Sequence, residues 1–196
     1  RPEGRHVEPE PGSPAVRFRS GAESQAPRAA LDALAPNVFV NNPGIDDPTQ
    51  AEGQSESSIA VWHQYVLAAF NDGHGFVGSP SSLIGYAFSA DSGKTFVDGG
   101  VVPEPGIGIW TSDPVVTVNP NTGEFYFIGL YDPDANSNGI GFVRGSFSGT
   151  SFNWGTRRVV REVTDSSGQF LDKAWVSVDP ASGNLYLGYT ICVPNA

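Results

Sequence analysis

Three acidic residues recur at nearly even spacing along this chain. Glu56 heads Glu56-Ser57-Ser58-Ile59-Ala60-Val61, and Asp113 heads Asp113-Pro114-Val115-Val116-Thr117-Val118. Asp172 heads Asp172-Lys173-Ala174-Trp175-Val176-Ser177-Val178. The first step is 57 residues and the second is 59, with one extra residue in the third copy. Carboxylates converging from equivalent places would focus negative potential, which suits a cation or the hydroxyls of a neutral sugar. Crowding would hold at least one of them above its ordinary pKa unless a metal or Lys173 neutralised it. A second reading has each acid capping a turn or pairing with a neighbour, and the sequence leaves both open. Trp110, just before Asp113, offers a ring for stacking on a sugar.

Asp132, Asp134, Asn136 and Asn138 alternate like the oxygen donors of a calcium loop. Ser137 stands where that pattern wants glycine, and no glutamate closes it, so a solvated loop is the competing reading. Calcium is the single cofactor suggested; otherwise none is expected. Cys192 is the only cysteine, which excludes a disulfide framework or a cysteine-based zinc site within the chain. No nucleotide-binding loop, Ser–His–Asp arrangement or metalloprotease helix is visible.

The formal net charge is −10, from 11 basic and 21 acidic residues. Residues 1–36 hold five of each sign, so the whole excess belongs to residues 37–196. Such a surface would repel nucleic acid and anionic membranes. No apolar run is long enough to span a bilayer, so no membrane insertion is expected. No methionine occurs, even at position 1, and both ends read as cut from a longer protein.

The elements that must position these residues are strands. The chain has 24 Gly and 16 Pro, which suits short strands and tight turns and suits long helices badly. Residues 1–36 are rich in proline without apolar periodicity, and are expected to form a disordered linker. From Asn37 onward β-branched and aromatic runs pair up as hairpins: 59–61 with 65–70, 115–118 with 125–131, and 175–178 with 185–189. The turn Asn119-Pro120-Asn121-Thr122-Gly123 matches Asp179-Pro180-Ala181-Ser182-Gly183 at a spacing of 60. A repeat of 57–60 residues in an all-β chain predicts one four-stranded antiparallel propeller blade per repeat. Residues 37–196 would then hold about two and a half blades, at 56–103, 113–163 and from 172 onward. A β-sandwich is the alternative.

One turn carries a recognisable motif. Ser89-Ala90-Asp91-Ser92-Gly93-Lys94-Thr95-Phe96 fills every defining position of S-x-D-x-G-x-T-(W/F). The aspartate would accept backbone N–H groups of the turn and the glycine would take positive φ. The hydroxyls would tie the strands, with the ring packed beneath. Set between two strands of the repeat, this turn makes residues 37–196 resemble the sialidase-like Asp-box (BNR-repeat) propellers. The resemblance implies six blades when complete and an extracellular or cell-envelope location. It also implies a structural role for Ser89, Asp91, Gly93, Thr95 and Phe96, on the face opposite the ligand funnel. Glu56, Asp113, Asp172 and Lys173 would then rim that funnel, with Trp110 in the connection beside it.

The second blade departs from the pattern, because Ser146-Phe147-Ser148-Gly149-Thr150-Ser151-Phe152 lacks the aspartate. Family sialidases hold the substrate carboxylate with three arginines, the first in an Arg-Ile-Pro motif, and that motif is absent. Arg144, Arg157, Arg158 and Arg161 all fall in outer strands of the second blade. The implied function is binding of a glycan or protein at the funnel. The alternatives are a sialidase-like exo-glycosidase with catalytic residues partly in other blades, and a structural cell-surface module.

Overall fold

The computed structural model describes residues 37–42, 53–76, 82–106 and 108–193. The linker expected over residues 1–36 lies outside them. The first sheet contains β1 (Gln54–Trp62), β2 (Tyr65–Asp72), β3 (Ile84–Ser89) and β4 (Val97–Val101), in that order. The second contains β5 (Ile109–Val118), β6 (Phe125–Asp134), β7 (Ser137–Ser148) and β8 (Ser151–Thr164), again in order. The third pairs β9 (Phe170–Val178) with β10 (Leu185–Cys192). Every pairing is antiparallel. The molecule is therefore all-β, with a propeller-like succession of two four-stranded sheets and one two-stranded sheet.

The turns between first and second strands explain the spacing of 60. Asn119 Oδ1 accepts the Asn121 N–H at 2.9 Å, and Asp179 Oδ1 accepts the Ala181 N–H at 2.9 Å. Gly123 and Gly183 close the two turns at φ 72° and 75°, a region that glycine enters without penalty. At Gly123 a Cβ would also stand 2.5 Å from the Trp62 ring of the first sheet.

The inner strands β1, β5 and β9 lie side by side, and the sheets stack face to face. Ala60, Leu67 and Ala69 of the first sheet meet Val116, Phe125 and Phe127 of the second. The other face of the second, with Val115, Ile128 and Leu130, meets Leu171, Ala174 and Val176 of the third. Each fully buried valine, leucine, isoleucine or phenylalanine there contributes roughly 1.5–3 kcal/mol. Hydrogen bonds fasten the stack from turn to turn. Trp62 Nε1 donates to the Pro120 carbonyl at 3.0 Å, and Asn121 Nδ2 donates to the Pro180 carbonyl at 2.7 Å.

The two outer hairpins close differently. In the first sheet the Ser89–Phe96 turn is polar. Thr95 N–H and the Ser89 hydroxyl donate to Asp91 Oδ1 at 3.0 and 2.7 Å, and the Thr95 hydroxyl donates to Oδ2 at 2.7 Å. Gly93 sits at φ 78° above the Phe96 ring. The Ser92 N–H donates to the Gln64 carbonyl, which ties this turn to the β1–β2 turn. In the second sheet two residues suffice, Gly149 and Thr150, and Phe147 and Phe152 clamp the hairpin against Tyr65 and Phe88. Apolar packing there replaces the missing aspartate.

Asp91 makes the first hairpin sensitive to acid. Its carboxyl is held at about 2, chiefly by the Thr95 N–H, then by the Ser89 and Thr95 hydroxyls. A lowered folded pKa contributes stability above the ordinary value and loses it as pH falls through about 2. Asp91→Asn should therefore lie below the native protein in melting temperature at neutral pH and converge with it on acidification. Parallel melting curves at every pH would exclude this role.

Candidate functional site

Each inner strand carries a β-bulge at the same place. Between Ser55 and Ser58, Ser112 and Val115, and Asp172 and Trp175, three steps of the inner strand face two of its partner. The extra residue takes positive φ in each case: Glu56 at 49°, Asp113 at 57° and Lys173 at 49°. Bulges re-aim side chains, and here they turn three onto one point. Lys173 Nζ stands 2.9 Å from Asp113 Oδ2 and 3.9 Å from Glu56 Oε1. Glu56 and Asp113 also share a direct side-chain hydrogen bond.

Lys173, not Asp172, is thus the third equivalent position. Asp172 lies one residue earlier, and its Oδ1 accepts the Lys173 N–H at 2.8 Å, a local bond at the bulge. The three residues sit within their strands rather than at the first position, because β5 and its neighbours begin before the bulge. The 60-residue step from Pro120 to Pro180, applied to Asp113, points to Lys173, so a signal existed.

The charges settle unequally. The hydrogen bond with Asp113 raises the Glu56 carboxyl above its usual range, and burial and the Asp113 charge add to this. Lys173 and Asn71 oppose the rise without cancelling it. Burial pushes Asp113 up, but hydrogen bonds from Glu56 and Lys173, with the Lys173 charge, outweigh it and leave the carboxyl below its usual range. Lys173 is raised, first by its bond to Asp113. Glu56 is therefore the member that keeps a proton longer, and Asp113 the one that ionises first.

The ring opens into a cavity of about 300 Å3 that Ser57, Ser58, Pro114, Val115, Ala174 and Trp175 also line. Asn71, overlooked in the sequence, donates through Nδ2 to Glu56 Oε2 at 3.2 Å. Its signal was the hairpin register, which puts Asn71 opposite Ser55. Asn71 Oδ1 is buried without a donor among the described residues. The Ser89–Phe96 turn lies at the other end of the first sheet, beside the β1–β2 turn.

Two expectations are corrected. Trp110 is no surface platform: it is the second residue of β5, is 0% exposed, and packs edge-on against Phe127 and Tyr131. The Asp132–Asn138 alternation does not form an open loop. β6 runs to Asp134 and β7 starts at Ser137, so Ala135 and Asn136 alone make the turn. Asp134 Oδ1 accepts the Asn136 N–H at 2.8 Å, while Asn138 bonds the Leu171 backbone of the third sheet through both side-chain atoms. Asp132 is raised by burial, then by the charges of Asp165 and Asp134. No group of three or more His, Cys, Asp or Glu among the described residues is placed to hold a metal ion.

No family model matches the chain, and no curated protein matches it significantly. Among solved structures it is similar to Zg3597, a family 117 glycoside hydrolase produced by the marine bacterium Zobellia galactanivorans. The identity is 14% and the TM-score 0.36, over 74% of this chain and 46% of that one. This chain thus spans less than half the length of that protein. A likeness of that degree establishes neither a shared family nor a shared activity.

Proposed function

We propose that this chain is part of a secreted or envelope propeller of the sialidase-like Asp-box class, and that it binds a neutral or cationic glycan at the Glu56–Asp113–Lys173 ring. The observation that carries the reading is the convergence of three equivalent bulge residues, one from each inner strand, on one cavity. The class and the location rest on the resemblance of the Ser89–Phe96 turn and the repeat. Two carboxyls against one ammonium leave the opening acidic, which disfavours a sialic acid carboxylate. Two of the arginines serve elsewhere: Arg144 pairs with Glu124 at 3.0 Å, and Arg157 donates to the Glu104 carbonyl at 3.0 Å.

Hydrolysis is the second reading, favoured by a Glu56 carboxyl raised above its usual range beside an Asp113 carboxyl held below it. In a glycosidase, however, the sugar or a water stands between the two carboxyls, whereas here the Lys173 ammonium faces both, 2.9 Å from Asp113 and 3.9 Å from Glu56. Calorimetry with lactose, a chitosan oligosaccharide and sialyllactose separates these readings. Heat is expected from one or both of the first two, and none from sialyllactose. A preference for sialyllactose, or robust cleavage of a fluorogenic sialoside, would overturn the ring's assigned selectivity. Silence with all three would remove the glycan reading.

A further inference from the structure

Three charged groups make up the ring, and one of them is the kind of group that the other two would bind. Lys173 Nζ is a primary ammonium, 2.9 Å from Asp113 Oδ2 and 3.9 Å from Glu56 Oε1. Asp113 is flanked on both sides, by β1 and by β9, so its surroundings are complete within this chain. Its side chain is 11% exposed. Glu56 and Ser112 also hold its carboxyl by side-chain hydrogen bonds, and would keep it in place if the ammonium left.

Lys173 is tied down at its backbone, where the N–H donates to Asp172 Oδ1 at 2.8 Å. Its ammonium, however, rides on a flexible four-carbon stem. The charges that act on it belong to Asp113, Glu56 and Asp172, so nothing but carboxylates holds it over the ring. An ammonium is a compact point charge with three rotatable donors and no fixed fork. One ammonium can therefore replace another at a carboxylate without rebuilding the site. The adjoining cavity, about 300 Å3, lies at the small end of ligand pockets and suits a single sugar unit.

We propose that the ring selects a sugar with a free amino group, and that Lys173 sets this specificity: the sugar's ammonium binds Asp113 by displacing the Lys173 ammonium. The proposal rests on the glycan reading above and names the group recognised. It also makes Lys173 a built-in competitor. A resident cation that covers Asp113 about nine-tenths of the time lowers the apparent affinity of a rival about tenfold.

Calorimetry on the whole chain tests it, with a chitosan oligosaccharide, its N-acetylated form and its N-trimethylated form. Lys173→Met removes the competitor and should tighten chitosan binding about tenfold. The N-acetylated form should gain nothing, because an amide carries no charge. The N-trimethylated form should gain far less than chitosan, because it keeps the charge but has no N–H to donate to Asp113. Lys173→Arg keeps a resident cation and should tighten none of the three. Thermal melts show whether the variants fold, and Lys173→Gln, also neutral, should repeat the gain if Lys173→Met does not fold. Unchanged or weaker chitosan binding by a folded neutral variant, with native binding intact, would overturn the displacement and leave the glycan reading standing. An equal gain for the trimethylated form would overturn it in favour of a general effect of net charge. Silence with all three forms, in the native protein and in the neutral variants alike, would overturn both readings.

Discussion

Trp110→Ala should destabilise the protein by about 3–5 kcal/mol, the usual cost of emptying a large core site. Trp110 is fully buried where β5 begins. Its N–H donates to the Ser82 hydroxyl at 3.0 Å, and its carbonyl accepts the Leu83 N–H at 2.9 Å. The ring fills the space against Phe127 and Tyr131, and Gly141 is kept clear for it: a Cβ there would stand 2.4 Å from the indole. The melting temperature should fall by about 10 °C for a chain of this size. Trp110→Phe should cost much less, because the indole Nε1 finds no acceptor among the described residues, so its loss leaves no bond broken. Equal losses for the two variants, or a native-like melt for Trp110→Ala, would show that this site is not the keystone of the first interface. Glycan affinity should fall with the alanine variant too, since the same strand carries Asp113 three residues on.

Asp113→Asn should weaken binding of a chitosan oligosaccharide about ten- to a hundredfold, the usual range for losing a hydrogen bond to a charged group. It removes the charge that Lys173 pairs with and the neighbour that raises the Glu56 carboxyl. Carbon-13 NMR of the Glu56 carboxyl supplies a separate readout. In the native protein its midpoint should lie above the usual glutamate range, and in Asp113→Asn it should drop back. A cationic probe prefers ionised Glu56, so native affinity should climb as pH rises through that raised midpoint. In the variant the climb should move to lower pH. An unmoved Glu56 midpoint together with unchanged affinity would return these acids to a purely structural role.

Much of the architecture was legible because its causes are local. Proline, Asx residues and glycine at fixed offsets in Asn119–Gly123 and Asp179–Gly183 specify turns by short-range chemistry, and their spacing exposes the repeat. Ser89–Phe96 closes as its residue types predict, for the same reason. What depends on neighbours in space was harder to read. Whether Trp110 faced solvent or core was decided by Gly141 and Tyr131 of other strands. Asn138 was spent on the Leu171 backbone, 33 residues away, rather than on a cation. The offset between Asp172 and Lys173 arises from bulges, which leave almost no mark on sequence when the residue at positive φ is not glycine.

Those bulges set a cost against the ring of charge. Left-handed backbone costs an ordinary L-residue roughly 1–2 kcal/mol, and aspartate somewhat less. Glycine would remove that cost at all three places. Glycine at Glu56, Asp113 and Lys173 would thus exchange three converging ionisable groups for a more durable backbone.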